Sequence, residues 1–135
     1  MRQQFWLAMA AYLLPTFPLG YVWHLTTFRE QYRRLETYRE QVIIPFGLAS
    51  MVAQAAAFAW LYPRIFSTTR DAWLRGALGF GVLFGVLAWS FTTLPVAAKY
   101  RMTSVRSFLL LESAFTAVQF AIVSPLIAWA WRDAV

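Results

Sequence analysis

Residues Phe108–Gln119 read FLLLESAFTAVQ and open an apolar run that continues to Trp131. Glu112 is the only acidic residue inside any long apolar segment of the chain. On a helix, Glu112, Thr116 and Gln119 fall at i, i+4 and i+7 and form one polar stripe. A carboxylate in a membrane span costs roughly 2.5–3.5 kcal/mol on insertion scales, so it faces protein or water and takes a partner. That partner has to come from elsewhere in the chain.

Of the 135 residues, 60% are hydrophobic, 19% aromatic and only 13% charged. A soluble domain is about one-quarter charged. Most of the surface must therefore face something other than water, which predicts a single integral membrane domain over residues 1–135 with the lipid bilayer as its first partner. The net charge of +6 resides in basic residues between the apolar runs, where membrane proteins place them. No basic face with interleaved aromatics occurs, so no nucleic-acid partner is expected. The chain has no cysteine, which excludes disulfides, thiol catalysis and cysteine-bound metals.

Working outward from Glu112, four apolar segments are long enough to cross a hydrocarbon core of ~30 Å. They cover about 5–28, 42–62, 76–98 and 107–131. The predicted fold is all-α, an antiparallel bundle of four transmembrane helices with both termini on one side. The first segment runs on past the usual length of a signal peptide, so it reads as a retained span. Pro15 and Pro18 should bend it, Pro95 should kink or end the third span, and Pro125 should distort the fourth. Tyr62-Pro63-Arg64 reads as an interfacial aromatic, a stop and a charge, and Trp129 and Trp131 as anchors of the last span. Ser67, Thr68 or Thr69 would cap the third helix. Gly81 and Gly85 form GxxxG, a helix-packing face. The connection REQYRRLETYREQ (residues 29–41) carries an apolar stripe at Phe28, Tyr32, Leu35, Tyr38 and Val42, which predicts an amphipathic helix.

Trp23-His-Leu-Thr-Thr-Phe28 resembles Trp89-Ser-Phe-Thr-Thr-Leu94, and Gln54 matches Gln119 at nearly the same offset. Two similar helical hairpins would form a parallel repeat. Depth is the firmer guide. His24 lies about 6 Å inside the end of its span, and Glu112 about 7 Å inside the start of its own, on the same side. Gln54 and Gln119 lie about 16–18 Å in, near the midplane. The expectation is a polar pocket with His24 and Glu112 at its mouth, Gln54 and Gln119 at its floor, and Ser50, Thr116 and Thr27 on its walls. Such groups either join helices by hydrogen bonds or hold a ligand, ion or proton.

The sequence carries no phosphate-binding glycine motif, paired catalytic acids or Ser–His–Asp set. One His with one membrane carboxylate makes a poor metal site, because zinc takes roughly three or four protein ligands. No catalytic residue or metal ligand is identified, an enzyme is left as an unsupported third reading, and the sequence points to no particular cofactor. The function expected is binding or transport of a small or lipid-like solute, by a homo-oligomer because the bundle is small. The alternative is an accessory or assembly subunit of a larger membrane complex. Seven basic residues (Arg29, Arg33, Arg34, Arg39, Lys99, Arg101, Arg106) flank one side and five the other, which places the termini outside the cytoplasm.

The segments FPLGYVWHLTTF (residues 17–28), GLASMVAQ (47–54), GFGVLFG (79–85) and LESAFTAVQF (111–120) resemble small four-span bacterial inner-membrane proteins of unknown function. The resemblance implies a bacterial inner-membrane location and a helical bundle. It implies no activity and no site residues.

Overall fold

A computed structural model describes residues 1–134, of which α-helix is the dominant element. Helix α1 spans Arg2–Val22 and continues as a π-helical turn over Trp23–Thr27. Helix α2 is short, Arg29–Arg34. Helices α3 (Ile44–Ile65), α4 (Trp73–Lys99) and α5 (Val105–Trp131) follow. The four long helices, at 22 to 27 residues, have apolar stretches of mean hydropathy 1.4–1.7. At 1.5 Å per residue the shortest covers about 33 Å. They are long and apolar enough to cross a membrane and fit a multi-pass membrane protein.

Helix α1 lies between α3 and α5, and α4 packs along α5. At one end α3 also meets α4, through Phe58, Tyr62 and Phe66 against Phe80 and Phe84. Both termini and the α3–α4 loop share that end, where Thr68 donates to the Ala134 carbonyl at 2.9 Å. The opposite end holds the α1–α3 connection and the α4–α5 loop.

In lipid the packing drive comes from close contact of small residues, not from exclusion of water. The buried row on α1 is Ala8, Tyr12, Thr16 and Gly20, spaced at i+4. It faces Ala55 and Ala59 of α3 within one core. Gly81 approaches Ser124 and Gly85 approaches Phe120, so the GxxxG pair sets α4 against α5. Outward, Leu14, Leu78, Phe46 and Phe91 are 71–74% exposed, as suits a lipid-facing surface.

The prolines interrupt less than their chemistry predicts. Pro15, Pro18, Pro95 and Pro125 all sit inside unbroken helices. A membrane helix tolerates the lost donor where neighbouring groups re-satisfy the freed carbonyl. Pro63 likewise does not stop α3, which runs on to Ile65 and closes with Phe66 N–H on Tyr62 O at 2.9 Å. Tyr62 is fully buried rather than interfacial, and Trp131 is buried in the core. Of these three expected anchors only Trp129 is exposed, with the Arg132 guanidinium 4.4 Å above its ring. Helix α4 begins at Trp73 with Ala72 at its N-cap, so Ser67, Thr68 and Thr69 lie too far upstream to cap it.

The long amphipathic helix expected over the connection is cut to six residues. Glu36 adopts φ 59°, which ends helical propagation. Tyr32 and Leu35 are buried, but Tyr38 and Val42 fall beyond that turn and are exposed. Thr103 holds the end of α2 from the α4–α5 loop, with its hydroxyl on Arg34 O at 2.6 Å and its N–H on Leu35 O at 3.3 Å. The connection is thereby folded over the bundle end.

Candidate functional site

The π-helical turn is closed by the Phe28 N–H on the Trp23 carbonyl at 3.1 Å, an i to i+5 bond. His24 projects from it toward α5. Its Nε2 lies 2.9 Å from Glu112 Oε1, and its Nδ1 lies 2.9 Å from the Gly20 carbonyl. Tyr32 Oη donates to the same Glu112 oxygen at 2.5 Å, and Trp23 Nε1 donates to Tyr32 Oη at 3.2 Å. The predicted partner of Glu112 is therefore present, and two aromatic donors complete the set. The His24 ring is bracketed by Phe115, edge-on at 4.6 Å, and by Tyr32 at 4.8 Å.

Hydrogen-bond chemistry restricts the proton pattern. A carbonyl oxygen only accepts, so the Gly20 contact fixes a proton on Nδ1. Nε2 then meets Glu112 through one further proton. It belongs either to an imidazolium facing a carboxylate or to a carboxylic acid facing a neutral imidazole. Both arrangements carry zero net charge, which is the low-cost condition for side chains only 18% and 16% exposed. Burial, followed by the adjacent Glu112, pushes the Tyr32 phenol well above its usual 10.0, so it stays a donor.

A second network lies deeper. Gln119 Nε2 donates to Tyr12 Oη at 3.0 Å, Tyr12 Oη donates to Gln54 Oε1 at 2.5 Å, and Gln54 Nε2 donates to Ser50 Oγ at 3.0 Å. The two glutamines share a level, as depth counting predicts, but Tyr12 stands between them. Gln119 and Thr116 are buried, whereas Gln54, Ser50 and Thr27 are exposed. The seven residues thus do not line one interior pocket. Rotation of α3 about its axis carries Ser50 and Gln54 to its outer side, and the π-helical turn moves Thr27 off the row of Gly20 and His24. Thr116 faces an open apolar groove of about 1020 Å³ between α4 and α5, beside Gly81 and Gly85.

The cavity near the polar pair lies on the other side of His24. A chamber of about 410 Å³ is walled by Phe17, Gly20, His24, Ile44, Met51 and Phe115. It opens into a wider vestibule of about 590 Å³, edged by Arg29, Arg33, Arg39 and Glu40 with Tyr21 and Tyr38. His24, Tyr38 and Ile44 line both spaces. The result is one amphipathic cleft, apolar inside and basic at the mouth, with His24 in its wall.

Sequence reasoning missed Tyr12, Trp23 and Tyr32. Their hydroxyl and indole groups were hidden by aromatic rings that count as apolar in a periodicity search. The i+4 row from Ala8 through Tyr12, Thr16 and Gly20 to His24 was the available signal for Tyr12. No group of three His, Asp or Glu side chains with metal-binding proximity occurs among the described residues. Comparison of the chain with family models, curated proteins and solved structures finds no match.

Proposed function

We propose that this multi-pass membrane protein binds, and passes on, an amphipathic lipid-like molecule in the cleft between α1, α3 and the α1–α3 connection. The single observation behind this reading is the continuity of the apolar chamber with the basic vestibule across His24. The chamber volume lies within the roughly 300–1000 Å³ of small-molecule sites. The apolar walls suit a hydrocarbon tail, and His24, bonded to Glu112, marks the step from chamber to vestibule. The bundle is small for a complete transporter, so the working unit is a homo-oligomer. The location is the bacterial inner membrane with the cleft mouth toward the cytoplasm, by the excess of basic residues at that end.

Native mass spectrometry from mild detergent tests the proposal with wild type, Met51→Trp and Glu112→Gln. A co-purifying small molecule that is lost when Met51→Trp fills the chamber supports it. A bare protein in all three forms sinks it.

The reading as an accessory subunit draws on a different feature, the long apolar groove beside Gly81 and Gly85. A small-residue groove of that kind can accept a helix of another membrane protein. A stable larger partner that stays bound in Met51→Trp would favour it.

A further inference from the structure

Resting on the amphiphile reading, we infer that the bound head group is an oxyanion, phosphate or carboxylate, held by Arg29, Arg33 and Arg39. Arg29 and Arg33 stand one turn apart on α2, so they share a face. Arg39 comes from the following connection. All three edge the vestibule, with Glu40 the only acidic residue among them.

What sets these arginines apart is that they share one opening and none is engaged elsewhere. Among the described residues no carboxylate lies within ion-pair distance of Arg29, Arg33 or Arg39. Three other arginines have internal uses. Arg34 meets Glu30 at 3.3 Å, and Arg132 meets Asp133 at 3.4 Å. Arg64 donates to the Trp60 carbonyl and lies 3.9 Å above the Trp60 ring. Three guanidiniums against the single carboxylate of Glu40 leave a positive field at the cleft mouth. A guanidinium's planar fork matches the oxygens of a phosphate or carboxylate.

Geometry adds the tail. From Ile44 to Met51, α3 descends about 10 Å along the chamber wall. A head at the arginines therefore puts the first carbons of a chain beside Leu25 and Leu48 and later ones beside Met51 and Phe17. Two sources supply such a head: an anionic lipid from the bilayer, or a water-soluble phosphate that enters only the vestibule.

The test titrates the full chain in a neutral maltoside detergent with dodecyl phosphate, dodecyltrimethylammonium and inorganic phosphate, and reads thermal unfolding. The comparison variants are the triple Arg29→Gln/Arg33→Gln/Arg39→Gln, the triple lysine replacement, and Met51→Trp. The arginines are exposed, so both triples should fold. Expected is a saturable upward shift with dodecyl phosphate, weakened at least about tenfold in the glutamine triple, partly restored in the lysine triple, and lost in Met51→Trp. Saturation by inorganic phosphate at equal concentration, still dependent on the arginines, keeps the oxyanion and assigns the soluble source. Equal shifts from the anionic and cationic amphiphiles, unaffected in the glutamine triple but lost in Met51→Trp, overturn the oxyanion and leave the amphiphile reading standing. Absence of any saturable shift overturns both.

Discussion

His24 Nε2 and Glu112 Oε1 lie 2.9 Å apart although the residues are separated by 88 positions. The pair ties the end of the first long helix to the start of the last, and Tyr32 ties the connection to both.

Glu112 accepts from two neighbours, so the amide and the methyl replacements should differ. Glu112→Gln keeps an acceptor for Tyr32 and a donor for neutral His24. Glu112→Ala strands both partners. We expect Glu112→Ala to destabilise by about 2–3 kcal/mol and Glu112→Gln by under about 1 kcal/mol. Unfolding in mixed micelles measures both. Equal losses would mean that the bonds retained by the amide contribute no stability.

Tyr12 joins Gln119 to Gln54, so Tyr12→Phe breaks two interhelical bonds at once. At about 0.6 kcal/mol per bond in membrane helices, the loss should be about 1 kcal/mol. Gln119→Ala, at a buried position, should cost more than Gln54→Ala on the exposed face. The same unfolding assay ranks the three.

Gly76 abuts the hydroxyl of Tyr62, and a Cβ there collides with it. Gly76→Ala should therefore cost about 1–3 kcal/mol by overpacking. The Tyr62 hydroxyl is buried with no hydrogen-bond partner. Tyr62→Phe alone should be nearly neutral, and in combination it should recover most of the Gly76→Ala loss. A double-mutant cycle showing simple additivity would refute the contact.

The Tyr32 phenol is held above its ordinary 10.0 by burial and by Glu112. The folded state therefore keeps this proton more tightly than the unfolded chain. The associated stability is complete below pH 10.0 and declines as pH rises above it. Phenolate absorbance should show Tyr32 ionising above pH 10.0, and Tyr32→Phe should flatten the alkaline fall in unfolding free energy.

The His24–Glu112 pair was legible in the sequence because depth in a membrane helix is linear in residue number. The level shared by Gln54 and Gln119 was legible for the same reason. Rotation about a helix axis is set by packing and is not linear in anything the sequence displays. That is why Ser50 and Gln54 could be placed at their level but not on their face. The four helices followed from apolar length alone. Their ends did not, because Pro63 and Pro95 break helices in water more readily than in a bundle that shields the freed carbonyls. The helix of the connection was expected, but its early end was not legible, because that end is set by the backbone of Glu36, a residue type with no strong left-handed preference.

The turn at Trp23–Thr27 holds one residue more than an ordinary helical turn would need. It works as a built-in insertion, a phase shifter between two rigid rods. Loss of a single codon within it would leave α1 in place yet rotate all that follows by about 100°. Tyr32 would swing away from Glu112, and Arg29 and Arg33 away from the cleft mouth. The aim of the connection is thus encoded in chain length as much as in side-chain identity.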